Sequence, residues 1–578
     1  MLRDDPATTI VIGWEQVSGD SPVVYYGTID YGTNYALYPS GQAPDRAVAY
    51  GGMNNQYVRL KGLVPNTAYY FVIHDTEGTS ERFWFKTAPS DPSARLSFIA
   101  GGDSRNNRAP RQQANKLVAK LRPHAVFFGG DMTADGTDVE WKDWMDDWQL
   151  TIGIDGRMVP IVAARGNHET SNSIITNLFD VPDSNIYYAL TFAGGLIRCY
   201  TLNTEISISG TQTSWLSSDL AANASVAWKM AQYHKPMRPH TSVKPEGFSQ
   251  YSSWAQMFYD QGVRLVVECD AHTVKTTWPI MPSVAIGSEE GFVREDEKGT
   301  VYTGEGCWGA PLRLNDDAKS WTRNSGIFNQ FKWIFVSADT IELRTIDVNN
   351  ADQVGTVSDN NVFLPPVNLN IWHPGNGAVT YIVQPNLAPV VSLTTPANGD
   401  VFPSVQPIVL AATATDPDGT VKQVEFFVDG NSVNMDAVAP YSFSWLPVAS
   451  GMYTVHASAT DNAGAITDTP PASIVVGAFS GTGYRQSTAP ELDIAIRPNP
   501  AHTSVQIIVT ENSLQLTEEA WLSIFDVTGQ PVLSKKVTVS HGTRGFLLNV
   551  SALKAGQYLL KLDMGEQTIY KRFIKYNE

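Results

Sequence analysis

The stretch LSFIAGGDSR, residues 96–105, decides the fold of the central part of the chain. An apolar run of strand-forming residues ends in a Gly-Gly turn, which presents Asp103 and Arg105. The same design returns in AVFFGGDM (125–132), VPIVAARGNHE (159–169), WKMAQYHKP (228–236) and VRLVVECDAH (263–272). Apolar runs of this kind, separated by helical or loop segments, predict the strands of a sheet that is covered on both faces.

Each of these runs is followed by side chains that bind metal ions. The candidate ligands are carboxylates, one amide and two imidazoles: Asp103, Asp131, Asn167, His234, Asp270 and His272. Ligands bind such sheets where the strands end, so we expect these side chains to meet at one rim. Two divalent cations bridged by one carboxylate can hold a phosphoryl group and lower the pKa of a shared water. Taken singly, Asp103 and Asp131 are better explained as turn residues, and only the ordered series favours a metal site.

In their order, the motifs resemble those of the calcineurin-like metallophosphoesterases, which run D-x-H, G-D, G-N-H-[DE], H and G-H-x-H. Purple acid phosphatases are one branch of that group. The resemblance covers roughly residues 95–350. It implies a phosphoester hydrolase with two divalent ions and a hydroxide between them as the nucleophile. It also implies which residues bind: Asp103 and His272 the first ion, Asn167 and His234 the second, with Asp131 as the bridge.

The catalytic candidates are His168, Arg105, Glu169 and His240. His168 matches the histidine that lies over the phosphate in the family, and Glu169 would orient it. Arg105 stands where D-x-H has its histidine, so its guanidinium would reach the phosphate oxygens. His240 belongs to the cation-rich segment HKPMRPH (234–240), which would grip a second phosphate or the leaving group, or equally would pair with the acidic surface.

Two other departures from the family pattern concern the metals. Ala134 stands where a purple acid phosphatase has its metal-binding tyrosine, so we expect no purple colour. Asp270 replaces the first histidine of G-H-x-H and adds a third carboxylate, which lowers the net charge of a core with two divalent ions by one. We therefore expect two divalent ions among Mn, Mg, Ca, Fe and Zn, with the preference shifted away from Zn.

Three cysteines occur, Cys199, Cys269 and Cys307, and an odd number cannot form a disulfide framework. A Cys269–Cys307 bridge is conceivable, but buried free thiols are the favoured interpretation. Cys269 should face away from the metals, because neighbours along a strand point in opposite directions. Glu305, in GEGCWGA (304–310), is a candidate for supporting the ligands from behind.

Composition excludes some classes of partner. The chain has 578 residues and a net charge of −17, which argues against nucleic acid, because phosphate backbones select basic surfaces. It contains no apolar run near 18 residues, so we do not expect an integral membrane protein. The first residues lack the charged and apolar regions of a signal peptide, so we expect any such peptide to be missing from this sequence.

The predicted fold class is multidomain: an α/β metallophosphoesterase sandwich flanked by helices (αββα), with three all-β sandwich domains. Residues 63–71, LVPNTAYYF, resemble the corner of fibronectin type III domains, and residues 492–578 resemble the sorting domain of the type IX secretion system of Bacteroidetes. The predicted boundaries are 1–90 (fibronectin type III-like), 91–350 (metallophosphoesterase), 351–387 (linker or closing strands), 388–477 (Ig-like), 478–491 (linker) and 492–578 (sorting domain). Asp416 and Asp418 in the Ig-like domain would bind Ca²⁺ or simply cap a turn.

These features together predict a secreted or cell-surface-anchored phosphoester hydrolase, with phosphomonoesters as the favoured substrates. Its partners would be a small phosphorylated substrate and the type IX secretion machinery. Two alternatives stay open. The first is a phosphodiesterase or cyclic nucleotide hydrolase, which would need leaving-group contacts such as His240. The second is a non-catalytic surface-binding protein, in which Arg105 and Asp270 mark a degenerate metal site.

Overall fold

The computed structural model describes residues 1–358, 360–477, 493–497, 501, 503–510, 517–526, 530–540, 546–564 and 567–575. It divides into two compact units, Met1–Leu387 and Ala388–Glu578. The predicted linker at 478–491 lies outside the described residues, as do residues 498–500 of the predicted sorting domain.

The first unit begins with a small β-sandwich. One sheet has the order β1-β5-β4, and the other joins β3, β2, β6 and β7, with β8 also paired to β6. Its strands are β1 (Ile10–Glu15), β2 (Val23–Gly27), β3 (Ser40–Gln42), β4 (Arg46–Tyr50), β5 (Met53–Leu60), β6 (Ala68–Asp75), β7 (Gly78–Thr79) and β8 (Phe83–Lys86). Alternating residues such as Val58 and Phe71 fill the core. At the predicted corner the backbone N–H of Val64 donates to the Tyr69 hydroxyl over 2.9 Å.

Two facing sheets form the rest of the first unit. The six-stranded sheet has the order β11-β10-β9-β21-β22-β23, and the seven-stranded sheet has the order β12-β13-β14-β15-β19-β16-β20. The strands of both sheets and of a separate β17-β18 hairpin are β9 (Leu96–Gly101), β10 (Ala125–Phe128), β11 (Ile161–Ala163), β12 (Tyr188–Phe192), β13 (Ile197–Thr201), β14 (Trp228–Gln232), β15 (Val263–Glu268), β16 (Val274–Thr277), β17 (Ile280–Pro282), β18 (Phe292–Arg294), β19 (Val301–Gly304), β20 (Thr322–Gly326), β21 (Gln330–Val336), β22 (Thr340–Asp347) and β23 (Val379–Val383). Strands β9, β10 and β11 are parallel, as are β13, β14, β15 and β19.

Helices cover both sheets. They are α1 (Arg108–Leu121), α2 (Asp138–Trp148), α3 (Asn172–Phe179), α4 (Thr211–Ala222), α5 (Phe248–Gln250) and α6 (Gln256–Asp260), with a π turn at Tyr251–Ala255 between the last two. In α2, which a Thr137–Glu140 capping box starts, Trp144 stacks on Trp148 and packs edge-on against Phe128 of the six-stranded sheet. In the described ranges, no helix is both long and apolar enough to cross a membrane.

The core is arranged in layers. Phe98 of the six-stranded sheet and Leu265 and Val267 of the seven-stranded sheet belong to one buried cluster, and Phe98 packs edge-on against Phe192 of β12 across the two sheets. A second cluster lies on the other face of the seven-stranded sheet, where Leu216 and Leu220 of α4 and Phe258 of α6 meet Ala231 and Val266. Two packed sheets with helices outside confirm the predicted αββα fold class.

The second unit contains two further groups of strands. Those of the Ig-like region are β24 (Val390–Thr395), β25 (Val401–Phe402), β26 (Ile408–Thr415), β27 (Val421–Val428), β28 (Asn431–Asp436), β29 (Tyr441–Trp445), β30 (Gly451–Asp461), β31 (Ile466–Asp468) and β32 (Ala472–Val476). Those of the last region are β33 (Asp493–Arg497), β34 (Ser504–Thr510), β35 (Thr517–Phe525), β36 (Pro531–Ser540), β37 (Phe546–Asn549), β38 (Gly556–Met564) and β39 (Gln567–Lys575). Each group forms two sheets around its own core. Asp418 N–H lies 3.5 Å from Asp416 Oδ1, the turn contact that competes with Ca²⁺ binding there.

Candidate metal centre

The six predicted ligands lie on loops that follow parallel strands. Asp103, Asp131 and Asn167 follow β9, β10 and β11 of the six-stranded sheet, while His234 and Asp270 follow β14 and β15 of the other sheet. His272 comes two residues after Asp270. Because the carboxyl ends of parallel strands meet at one edge, these loops bring the six side chains together.

The backbone turns sharply at several of these positions. The φ angle is 59° at Asp103, 54° at Asp131, 66° at Asp270 and 56° at His272, all in the left-handed region that non-glycine residues rarely adopt. Such conformations persist where the surrounding structure holds them, and they concentrate at functional sites. Here each one turns the chain at or shortly after a strand end.

One group of donors surrounds His234. Its Nε2 lies 3.1 Å from Asn167 Oδ1, 3.3 Å from Asp131 Oδ1 and 3.7 Å from Asp270 Oδ1. Its Nδ1 lies 2.9 Å from the carbonyl of Gly129 and donates to it, so Nε2 of a neutral ring carries a lone pair toward these oxygens. Burial acts against charge on this ring, but Asp131 and Asp103 outweigh it and raise the pKa of His234 well above its ordinary value.

A second group shares Asp131. Ligand atoms of Asp103, Asp131 and His272 lie within 4.8 Å of one another. His272 Nδ1 donates to the carbonyl of Pro311 over 2.8 Å, which leaves Nε2 at 3.1 Å from Asp103 Oδ1. The other Asp103 oxygen accepts the backbone N–H of Asp270 over 2.9 Å.

Both groups fit divalent cations on the chemistry of their donors. In each group, several hydrogen-bond acceptors converge with too few donors to pair them. A bound cation would coordinate these acceptors, which otherwise stay buried and unpaired. Asp131 belongs to both groups, as a bridging ligand must. The residues therefore suit a pair of ions, with Asp103, Asp131 and His272 holding one and Asp131, Asn167, His234 and Asp270 the other.

His168 lies at the edge of this ring of ligands. Its backbone N–H donates to Asp131 Oδ1 over 2.8 Å, and its Nε2 lies 3.7 Å from Asp131 Oδ2. The ring is 24% exposed, so a ligand can reach it. Its Nδ1 donates to the carbonyl of Ala134, which fixes the direction of the ring.

Glu169 contacts backbone groups, in contrast to its expected role of orienting His168. The buried Glu169 carboxylate accepts the backbone N–H groups of Asp131, Met132 and Gly166, over 2.9, 2.8 and 2.7 Å. Burial, together with the nearby Asp131 charge, raises the pKa of Glu169 to about 7. Glu169 therefore ties together the two loops that carry Asp131 and Asn167.

His240 does not lie at the metal centre as a catalytic residue would. It is fully buried, its Nε2 lies 2.7 Å from the Thr322 hydroxyl and its ring packs edge-on against Trp321. Burial and the nearby lysines lower its pKa well below the ordinary value. The neighbouring cations are also paired, Lys235 with Glu205 at 2.7 Å and Arg238 with Glu246 at 3.2 Å. The sequence reasoning failed here because a motif shows adjacency along the chain and not direction in space.

Lys244 is the functional candidate that the sequence reasoning missed. Its ammonium forms an ion pair with Asp270 Oδ1, the same oxygen that faces His234. Burial raises the pKa of Asp270, but His234 and Lys244 outweigh this effect and lower it. With two ions bound, Lys244 would offset the negative charge that the third carboxylate adds to the metal core. The only signal in the sequence was the need for such a compensating cation near the replaced histidine.

Arg105 contacts the bridging ligand through its backbone and carries a side-chain donor without a partner in the described ranges. Its backbone N–H donates to the Asp131 carbonyl over 3.2 Å, so the residue lies beside the bridging ligand. Its Nε is buried and has no hydrogen-bond partner within the part of the chain that the structure describes. A buried donor without a partner is costly, and a bound anion within its reach would satisfy it.

The expectation that Cys269 faces away from the metals is wrong. Its sulfur lies within 4.8 Å of ligand atoms of Asp103 and His234, so it does not face away from the metals. Strand β15 ends at Glu268, and the alternation of side chains on which the expectation rested ends with it. All three cysteines are free and buried, and burial raises the pKa of the Cys269 thiol.

An ion network supports the ligands from behind. The Lys275 ammonium lies 2.6 Å from Glu268 Oε2 and 2.5 Å from Glu305 Oε1, and all three side chains are buried. The Glu305 carbonyl accepts the backbone N–H of His272 over 2.8 Å, and Tyr233 donates to Glu268 over 2.7 Å. The network thus connects the neighbours of His234 with the loop that carries His272.

Four family models match consecutive parts of the chain. They are the purple acid phosphatase N-terminal domain over residues 2–87, the calcineurin-like phosphoesterase over 102–274, the bacterial Ig domain over 389–457 and the secretion system C-terminal sorting domain over 495–576.

Solved structures and curated proteins give more distant matches. The purple acid phosphatase PPD1 from yellow lupin (Lupinus luteus) seeds is 15% identical, with a TM-score of 0.51 over 60% of this chain and 72% of that chain, a likeness of fold. PhoD is 11% identical, with a TM-score of 0.46 over 66% of this chain and 91% of that chain. The chitinase ChiA of Flavobacterium johnsoniae is 35% identical over 86 residues, which are 14% of this chain and only 5% of the chitinase.

The calcineurin-like phosphoesterase match agrees with the geometry of the metal centre, since it spans the loops from Asp103 to His272. The sorting domain at the end of the chain indicates a protein that is secreted or held at the cell surface. The chain therefore combines regions similar to the purple acid phosphatase N-terminal domain, a calcineurin-like phosphoesterase, a bacterial Ig domain and a secretion system C-terminal sorting domain, in that order.

Proposed function

We propose that this protein is a metal-dependent phosphomonoesterase that acts outside the cell on small phosphorylated molecules. The observation that carries the proposal is the convergence of carboxylate, amide and imidazole donors into two groups that share Asp131. Two divalent ions bound there would activate a water and neutralise the charge of the phosphoryl group.

The protein's own residues would orient and neutralise the substrate. Arg105, whose Nε has no partner in the described structure, would donate to the phosphate oxygens as charge develops on them. His168, held by the Ala134 carbonyl, would place Nε2 toward the leaving oxygen and supply a proton there. Asn167 and His234 would hold their side of the centre rigid, because His234 is fixed by the Gly129 carbonyl.

A cavity of about 690 Å³ beside Asp270 offers room for the rest of the substrate. Its lining includes Lys235, Lys244 and hydroxyl groups of Ser207 and Ser249. Hydroxyl and ammonium donors favour a polar, oxygen-rich leaving group over an apolar one. Lys244 would lie between this cavity and the metals, since it lines the cavity and pairs with Asp270.

The burial of His240 weighs against the phosphodiesterase alternative. That alternative needed a second contact for the leaving group, and His240 was its candidate. In the structure this histidine lies 2.7 Å from the Thr322 hydroxyl in the core and does not line the cavity. The monoesterase is therefore the better supported of the two hydrolases.

The test combines elemental analysis of the purified full chain with hydrolysis of p-nitrophenyl phosphate and bis-p-nitrophenyl phosphate after adding Mn, Mg, Ca, Fe or Zn. We expect two equivalents of metal and a monoester rate above the diester rate. Lys298→Met, at an exposed position away from the metal centre, is the matched control and should keep full activity. A faster diester rate would instead support the diesterase. If no metal supports turnover and at most one equivalent of metal binds, the results would support the alternative of a non-catalytic surface-binding protein.

A further inference from the structure

A second pocket lies at the opposite edge of the seven-stranded sheet. Its volume is about 360 Å³, and its lining includes the residues Lys229, Tyr259, Asp260, Arg264, Lys298 and Gln384. Lys229 belongs to the start of β14 and Arg264 to the start of β15. Because the metal ligands follow the carboxyl ends of these parallel strands, the pocket and the metal centre occupy opposite edges of the sheet.

Two buried cations line this pocket without ionic partners. Lys229 is 6% exposed, and its ammonium has no hydrogen bond or ion pair with any residue that the structure describes. Arg264 is 4% exposed; its Nε donates to the Gly299 carbonyl over 3.2 Å, and its Nη1 is buried with no hydrogen-bond partner in the described ranges. Buried charges are normally paired, because removing a charge from water costs several kcal/mol.

The backbone brings the two cations to the same place. Lys229 is opposite Val263 in the parallel pairing of β14 and β15, and Met230 is opposite Leu265. Arg264 is therefore an extra residue in β15, at a shift of register between Lys229 and Met230. Bulges of this kind redirect a side chain and are treated as functional features of a sheet.

The nearby carboxylates are engaged elsewhere. Asp260 accepts from Gln256 Nε2 over 2.8 Å, and Glu295 accepts the backbone N–H groups of Glu297 and Lys298 over 3.1 and 2.6 Å. Burial lowers the pKa of Lys229, and no neighbouring carboxylate offsets this effect. The exposed Lys298 adds a third cation at the rim.

We propose that this pocket binds a compact tetrahedral oxyanion of the phosphate class. Both residues line the pocket, and Arg264 Nη1 is buried there without a hydrogen-bond partner in the described ranges, so one anion would satisfy it and pair with the Lys229 ammonium. The remaining volume has room for the organic part of a phosphorylated molecule, so free phosphate and a phosphate ester share this chemistry. The proposal is independent of the metal centre and of the hydrolase activity.

Inorganic phosphate is the probe, titrated by calorimetry into the full chain carrying Asp131→Asn, which weakens binding at the metal centre. We expect phosphate binding that Lys229→Met and Arg264→Met each weaken at least about tenfold, as the loss of a charge-assisted contact should. Lys298→Met, the matched control at the rim, should weaken it less than about threefold. A parallel titration with acetate should show weaker binding than phosphate.

The change in Tm on substituting Lys229 separates a binding lysine from a purely structural one, because the two roles predict changes of opposite sign. Without phosphate, Lys229→Met should raise Tm by a few degrees, because it removes an unpaired buried charge, and it should abolish the stabilisation by phosphate seen in the Asp131→Asn chain. Three results would overturn the proposal: no phosphate binding in the Asp131→Asn chain, binding that neither Lys229→Met nor Arg264→Met weakens, or acetate binding as tight as phosphate binding. A lower Tm in Lys229→Met with an unchanged response to phosphate would also overturn it.

Discussion

Lys275 and Lys229 are buried lysines of the same seven-stranded sheet, and their surroundings are opposite. Lys275 is 1% exposed and lies between Glu268 and Glu305, whereas Lys229 is 6% exposed and faces a pocket with no partner in the described structure. The first cation is held by the fold and stabilises the loops behind the metal centre. Lys229 remains free to pair with a bound anion, as a cation in a binding site must be.

The two edges of the sheet differ in the same way. At the carboxyl ends of the strands, carboxylates such as Asp103 and Asp131 gather in excess of the local cations. At the starts of β14 and β15, Lys229 and Arg264 are in excess of the local anions. Binding sites are thus found where charge is left unbalanced, and structural networks where it is balanced.

Removing the bridging carboxylate should affect the metal edge alone. Asp131→Asn deletes the one ligand shared by both donor groups, so we expect bound metal to be lost and kcat to fall at least about a thousandfold, beyond the roughly 10- to 100-fold typical for groups that only support a ligand. Elemental analysis and monoester hydrolysis measure this. Retention of both metals with near-normal kcat would refute the assignment of Asp131 as the bridge.

Removing the balanced lysine should show its structural role. Lys275→Met leaves Glu268 and Glu305 buried without their cation, and loss of one partner from a buried pair costs about 3–5 kcal/mol. We expect the free energy of unfolding, measured by denaturant titration, to fall by that amount. The matched change Lys229→Met should raise it, and equal effects of both substitutions would erase the contrast between the two lysines.

The pair of Lys244 and Asp270 allows a double-mutant cycle at the metal edge. We expect Lys244→Met to lower kcat/KM about tenfold, because an anionic substrate then loses a positive charge beside the third carboxylate, and to tighten metal binding, because the ammonium no longer competes for Asp270. In an Asp270→His background the same change should have less than about a twofold effect. Lys244→Arg, which keeps the charge, is the control. Additive effects of Lys244→Met and Asp270→His on metal affinity would show that the two residues are not coupled.

The smallest expected effect is the pH dependence of the unpaired lysine. Burial lowers the pKa of Lys229 below 10.5, so between the lowered value and 10.5 the unfolded chain binds more protons and stability rises with pH. Arg264, Lys298 and Asp260 are the other charged residues that line the pocket with Lys229, and burial is the cause of its lowered pKa. Without phosphate, Lys229→Met should be more stable than the unsubstituted chain by about 1 kcal/mol at neutral pH, and this difference should shrink toward pH 10.5. A difference that is constant with pH would contradict the lowered pKa.

The convergence of the candidate ligand residues was predictable from the sequence because each follows a strand end within a few residues. Asp103 and His234, for example, both come two residues after a strand end, and parallel strands then bring such loops to one edge without further information. The layered fold followed for the same reason, from short apolar runs separated by helical segments such as that of α1.

The predictions that failed concern the direction in which side chains point and the contacts between residues distant in the sequence. His240 belongs to the same segment as His234 but points into the core, and Cys269 escapes the strand alternation because β15 ends before it. Glu169 contacts backbone N–H groups, which leave no signature in a sequence. Lys244 meets Asp270 only through the fold, from a loop without a motif.

The tryptophan of α2 that packs against the six-stranded sheet also touches the metal edge. Trp144 Nε1 donates to the Ser104 hydroxyl over 3.0 Å, and that hydroxyl donates to the Met132 carbonyl over 2.9 Å. Ser104 and Met132 are the immediate neighbours of Asp103 and Asp131. The indole is therefore a built-in optical probe, and its emission, isolated as the difference between the unsubstituted chain and Trp144→Phe, should report the loading of the centre without any added label.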